Sequence, residues 1–294
     1  MIFIRIGFEI VMECGAPTPL LLALLPHSSL DRRVIGWDGI HADPAVPLEG
    51  YLDGYGNRRT RIVAPAGGLS LWSDCIVEDP GTADPYDWNA RQHDVEALPP
   101  ATLQYLMASR YCESDQLANQ AWDLFGDTPL GWARVQAISN WVHNHLTFGY
   151  HYGRPSKTAV DALREQTGVC RDFAHLMIAF CRAMNIPARY ASGYLGDINC
   201  PDSGAGDLAA WAEVFIGGRW YAFDARHNTP RIGRILMVRG RDAADVAMIS
   251  SFGQCDLKSF RIWTYQVNGI RADQGLMDYL QTRPSGSALT LAVS

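Results

Sequence analysis

The sequence has no long apolar run. Its longest purely aliphatic stretch, Leu20 to Leu25, is six residues, against the roughly 20 needed to cross a bilayer. The first ten residues are broken by Arg5 and Glu9 and lack a signal-peptide layout. No block of Lys or Arg occurs and the formal net charge is -6, so the basic face of a nucleic-acid binder is missing. The seven cysteines (14, 75, 112, 170, 181, 200, 255) contain no C-x-x-C pair. Their odd number and wide spacing predict reduced, mostly buried thiols rather than a disulfide framework. A G-x-S-x-G elbow, a Walker loop and H-E-x-x-H are all absent, which removes three common enzyme classes. Charged residues are few, 19% against 48% hydrophobic in 294 residues, which excludes global disorder. A cytoplasmic protein is expected, with neither membrane nor nucleic acid as partner and with no cofactor or metal.

What is present begins with β-structure. Ile6, Phe8 and Ile10 alternate with Arg5, Gly7 and Glu9, the period of a half-buried strand. The Gly/Asn/Asp cluster at 51–57 is hairpin-turn chemistry with a return strand at 59–63, and 69–77 is a further strand. Together they predict a small β-sandwich-like domain over 1–80. Gly54 and Gly56 lack the third glycine and following helix of a phosphate loop. Residues 81–100 turn to Asp, Pro and Asn and are read as a linker. A helix capped by Ser114 is expected to bury Leu117, Trp122 and Phe125, and a second to run from Thr128-Pro129 to about Leu146. A short helix spans 157–165, and a stronger one runs from Cys170 to Met184, ended by Asn185-Ile-Pro187. Strand patterns follow at 188–195, 208–216, 219–225, 234–240 and near 260–267. The fold class is therefore α+β, with a core over 101–267 and a tail over 268–294 that is expected to be flexible.

Cys170 stands where a Gly-Val approach becomes a helix. Backbone N–H groups and the positive helix end favour a thiolate there and can hold an oxyanion. Position alone does not choose between this and a buried structural cysteine. Downstream, Gly217-Gly218 makes a two-residue hairpin turn pairing Ile216 with Arg219. Counting back pairs Trp211 with Asp224 and Ala209 with Arg226, so positions 209, 211 and 213 share a face with 222, 224 and 226. Asp224 can orient a base or simply terminate its strand. Dispersed Asp207, Glu213 and Asp224 do not resemble a calcium loop. Cys170 and Cys181, roughly 16 Å apart along one helix, cannot bridge.

These segments resemble the bacterial transglutaminase-like proteins of the papain-like cysteine hydrolase and acyltransferase superfamily. The resemblance rests on the Gly168-Val-Cys-Arg-Asp-Phe-Ala-His175 block, the Ile186-Pro-Ala-Arg-Tyr-Ala-Ser-Gly-Tyr194 strand and the Trp-Ala-Glu and Trp-Tyr-Ala-Phe-Asp segments, after an amino-terminal β-domain. It implies a papain-like core with Cys170 as nucleophile, a His at position 209 and Asp224 as its partner. Position 209 is Ala, in Asp207-Leu-Ala-Ala-Trp211, and alanine can neither take nor give a proton. The intact nucleophile argues for a natural Ala at that place, so the triad is incomplete. Trp211, Tyr150 and Asp207 are the substrate-binding candidates.

Other histidines are weaker replacements for the base. His227 lies three residues after Asp224 and would face away unless Asn228-Thr-Pro230 bends it back. His151 precedes the nucleophile in a segment that lines the cleft in similar proteins. His175 is about 140° round the helix from Cys170 and is expected to be structural or on the polar face. His143 and His145 do not face each other as a metal pair, and His27, His41 and His93 look incidental. The resemblance implies a cysteine enzyme that cleaves or transfers an acyl group of a peptide, protein or small amide (or an ester) through a Cys170 thioester. The competing expectation is an inactive homologue that binds a peptide or protein partner in the former cleft.

Overall fold

Alternation along the first strand is satisfied on both faces. In the computed structural model, which describes residues 1–36, 39–196, 198–200, 207–267 and 288–289, strand β1 (Ile2–Cys14) buries Ile4, Ile6, Phe8 and Ile10 on one side. On the other, Arg5 is also buried, ion-paired with Asp74, whose carboxylate accepts the Trp263 indole N–H at 3.0 Å. Gly7 sits opposite Trp263 in the ladder, and a Cβ there would collide with the indole ring. The chain continues through β2 (Thr18–Leu22), β3 (Glu49–Leu52), β4 (Arg58–Ala64) and β5 (Gly67–Asp79). The hairpin read at 51–57 joins β3 to β4.

The β-region takes its missing strands from the far end of the chain. Residues β12 (Ile249–Ser251) pair with β2, and β13 (Cys255–Val267) pairs with β1 along almost its whole length. The partition that put everything from 101 to 267 into one core is corrected here. A strand as apolar as β1 needs a neighbour on each edge, and β5 supplies only one. The same pairing sets Cys14 opposite Cys255, where the two form a disulfide, so the expectation of thiols throughout is also corrected. Spacing of 241 residues hides such a pair from sequence, because only strand register brings it together.

Helices and a second sheet follow. Helix α1 (Ala118–Phe125) buries the four-spaced stripe Leu117, Ala121 and Phe125. Trp122, expected inside, is 48% exposed and lies one helical step off that stripe, with the Arg134 guanidinium 5.9 Å from its ring. Helix α2 (Trp132–His145) begins three residues beyond Pro129. Its preceding Gly131 has φ +84°, and a side chain there would meet the Ala90 carbonyl. Next come β6 (Thr147–Phe148), α3 (Ala159–Glu165), β7 (Thr167–Gly168) and α4 (Cys170–Ala183). The four-stranded antiparallel sheet runs β10-β9-β8-β11, from β8 (Ala188–Leu195), β9 (Asp207–Ile216), β10 (Arg219–Phe223) and β11 (Arg234–Gly240). This is the α+β arrangement of helices on an antiparallel sheet.

Residues 81–100 do not hang loosely between the two parts. Asp84 N–H donates to the Arg231 carbonyl and the Asp84 carboxylate accepts Arg231 N–H, while Trp132 N–H donates to the Ala90 carbonyl at 2.9 Å and Gly217 N–H to the Arg91 carbonyl at 2.9 Å. Asn57 clasps the Arg239 backbone from both sides, at 2.7 and 2.8 Å, tying the β-region to β11.

Candidate active site

The position of Cys170 is built by a short parallel pair. Phe148 of β6 lies beside Gly168 of β7, and Gly149 N–H donates to the Gly168 carbonyl at 3.1 Å. Two residues later α4 begins with Cys170, half-buried. Asp172 closes this helix start: its carboxylate accepts Val169 N–H at 3.0 Å and two Arg171 N–H groups at 3.1 and 3.2 Å. Burial raises the Asp172 carboxyl above its usual value even though Arg171 and the Val169 amide work against it. Gly168 is required, since a Cβ there would stand 2.7 Å from that of Asp172. On the sheet side stands Tyr190, whose phenol is pushed up by burial first and then by the charge of Cys170. Neither Asp172 nor Tyr190 was singled out from sequence, although a carboxylate three residues past a helix cap is a legible signal.

The partner half of the site is a turn. The β9–β10 hairpin has the register counted from sequence, Ile216 opposite Arg219 through Ala212 opposite Phe223. There the ladder stops, so the expected pairs of Trp211 with Asp224 and Ala209 with Arg226 are not made. Asp224 folds the chain over itself: its carbonyl accepts Asn228 N–H at 2.7 Å, and its Oδ1 accepts the N–H groups of Arg226 and His227 at 3.1 and 3.3 Å. The turn swings His227 back, and its Nδ1 lies 2.9 Å from Asp224 Oδ2. Arg226 is carried to Phe148, its guanidinium 3.7 Å from the ring centre. Phe148 thus touches both the strand leading to Cys170 and the turn that holds His227.

Asp224 is almost fully buried, which by itself would raise its carboxyl. The His227 hydrogen bond and the Arg234 charge outweigh burial and hold it at about 2. Arg234 stands 3.5 Å from Asp224, forks onto Asp84 and lies 4.5 Å from the Trp211 ring centre. Asp84 and Arg234 carry no sequence signal, because a buried ion pair 150 residues apart exists only in the tertiary structure.

Ala209 pairs with Gly193 in the sheet and is buried, its carbonyl accepting the Ser192 hydroxyl at 2.9 Å. Trp211 is buried beneath Arg234 rather than open to a substrate. Tyr150 is 53% exposed, on the segment that packs against Val169. The Asp207 side chain lies outside the described residues. His151 is exposed and lies tilted against Tyr152, with ring centres 3.9 Å apart. His175 is structural as expected but not on a polar face. It is wholly buried between Tyr111 and Tyr190, and its Nε2 accepts Ala243 N–H at 3.1 Å.

A cysteine at the start of a buried helix, packed on an antiparallel sheet with an acid at a strand end, defines a papain-like cysteine-enzyme core. Residues 119–225 match the family model of the transglutaminase-like superfamily. A solved structure of a candidate cysteine protease from Cytophaga hutchinsonii is 28% identical, with a TM-score of 0.78 and 92% of each chain covered. ML0607 of Mycobacterium leprae is 35% identical over 122 residues, which are 38% of this chain and under half, 42%, of that protein. Rv2569c of Mycobacterium tuberculosis is 28% identical over 244 residues, 76% of this chain and 77% of that protein. No helix among the described residues is long and apolar enough to cross a membrane.

Proposed function

We propose that this protein is a cysteine acyl hydrolase or acyltransferase whose general base is His227 in place of the missing residue at 209. The supporting observation is the 2.9 Å bond from Asp224 Oδ2 to His227 Nδ1, which leaves Nε2 to exchange protons, as in other carboxylate-oriented bases. In the first half-reaction Nε2 takes the Cys170 proton and the thiolate adds to the carbonyl carbon of an amide or ester. The oxyanion is met by the Cys170 backbone N–H at the helix start. Collapse breaks the C–N or C–O bond, and the His227 proton leaves with the amine or alcohol, giving a thioester. Water or a second amine then loses its proton to His227 as it attacks, and the proton returns to Cys170 as the acyl group departs.

The test is the rate of Cys170 alkylation and of hydrolysis of an activated ester across pH. His227→Ala is expected to slow both by about 10²–10⁴-fold at pH 7, the usual range of acid–base assistance, and Cys170→Ser to abolish hydrolysis. If Cys170 is inert and His227→Ala changes nothing, the cleft is a binding site, the outcome that Ala209 would then explain.

A further inference from the structure

Asp84 is fixed before it meets any side chain. Its N–H donates to the Arg231 carbonyl at 2.9 Å and its carboxylate accepts Arg231 N–H at 3.0 Å. The same carboxylate takes the Arg234 guanidinium through Nε, at 3.1 and 3.2 Å, and through Nη2 at 3.0 Å. Arg234 is 7% exposed along its side chain and lies over Trp211. Its far side faces the catalytic carboxylate, with Nη1 and Nη2 both 3.5 Å from Asp224 Oδ2, whereas His227 Nδ1 is at 2.9 Å.

A guanidinium prefers a planar fork on a single carboxylate, and here two are within reach. Asp84 holds the fork. Asp224 therefore feels a nearby positive charge while its Oδ2 stays engaged with His227. We infer that Asp84 and Arg234 are a positioning pair: Asp84 retains Arg234 so that Asp224 is kept ionised without being drawn away from His227. The inference rests on His227 as the base of the proposed reaction. It gives the linker segment a place in the site, and it makes predictions of opposite sign. Without the Asp84 charge, Arg234 is released onto Asp224 and the imidazolium loses its partner. Without the Arg234 charge, two carboxylates face His227 and favour the imidazolium.

The charged and titratable groups about the Asp224–His227 turn are Arg234, Asp84 through its hold on Arg234, Arg226 of the same turn, His143 of α2 and, in the proposed reaction, Cys170. His143 meets that turn through the carbonyls of Ala225 and Arg226, at 3.0 and 3.1 Å. Arg226 and His143 are unaltered in every variant proposed.

The experiment is an NMR titration of the His227 imidazole in the full chain, beside the pH profile of Cys170 alkylation. Asp84→Asn is expected to move the His227 titration to lower pH and Arg234→Met to move it to higher pH, because the first removes a negative charge and the second a positive one beside the Asp224–His227 pair. Asp84→Glu is expected to return the titration toward wild type. The inference is overturned if either charge-removing variant leaves the His227 titration in place or moves it the other way. Should Asp84→Asn not fold, Arg234→Met decides alone by the same criterion. The proposed base is judged separately, by alkylation in His227→Ala. An unchanged rate there sinks the base assignment while the NMR titration still decides the pair.

Discussion

His227 and Asp224 are bonded side chain to side chain, Nδ1 to Oδ2 at 2.9 Å, across a turn that ends the β10 strand. They are three positions apart, so the bond exists only because the chain reverses at Asp224. The acid expected of the family is therefore engaged with a histidine, and that histidine is not the one the family pattern would supply.

Residue 209 can be returned to the family pattern. Alkylation in His227→Ala is expected to be slow, and adding Ala209→His is expected to recover at least tenfold at pH 7. The recovery should vanish when Asp224→Ala is added. If the double variant is as slow as His227→Ala, position 209 does not reach the sulfur.

Acid should unfold the protein partly through Asp224. Its carboxyl is held at about 2, below the ordinary value near 3.8, so its contribution is complete above the unfolded value and is lost as pH falls through about 2. A shift of this size corresponds to about 2 kcal/mol. Denaturant melts of Asp224→Asn are expected to show that deficit at pH 7 and to converge on wild type near pH 2.

His175 adds a second acid-labile element at milder pH. Burial first, then the charges of Arg171 and Arg182, lower its pKa well below 6.5. A depressed value means that the neutral form is favoured in the fold, so stability is complete above the unfolded value and falls below it. Between pH 6.5 and 5.5 the loss should approach about 1 kcal/mol, the slope for one proton being about 1.4 kcal/mol per unit. His175→Phe should be less stable at pH 7, because Ala243 N–H loses its acceptor, yet flatter across that interval.

Gly168→Ala is expected to cost about 1–3 kcal/mol by overpacking against Asp172 and to slow Cys170 alkylation, since Asp172 sets the helix start. A variant that melts and alkylates like wild type would contradict the tight approach.

Thiol titration in denaturant without reductant should count five cysteines of the seven, with Cys14 and Cys255 silent. Reduction should then lower stability by about 2–5 kcal/mol, the usual worth of a native disulfide. A count of seven would remove the bond.

Local periodicity was enough to place much of the molecule. The alternation in β1, the helix that starts at Cys170, the Gly217-Gly218 hairpin and its register are all encoded within a few residues, because side-chain spacing and turn chemistry act over that range. The helix start that carries Cys170 and the strand end that carries Asp224 were legible for the same reason, whereas Ala209 stands out only against the pattern that the resemblance implies. What the tertiary structure decided involves groups brought together from far apart. Residues 255–267 left the core to pair with β1, Cys14 met Cys255, and Arg234 was shared between Asp84 and Asp224. His227 is the intermediate case: its closeness to Asp224 is visible in sequence, but strand periodicity sends it to the wrong face. Only the backbone turn, fixed by hydrogen bonds to the Asp224 carboxylate and carbonyl, brings it back. A buried charge must find its partner wherever the fold delivers one, and no local pattern records that choice.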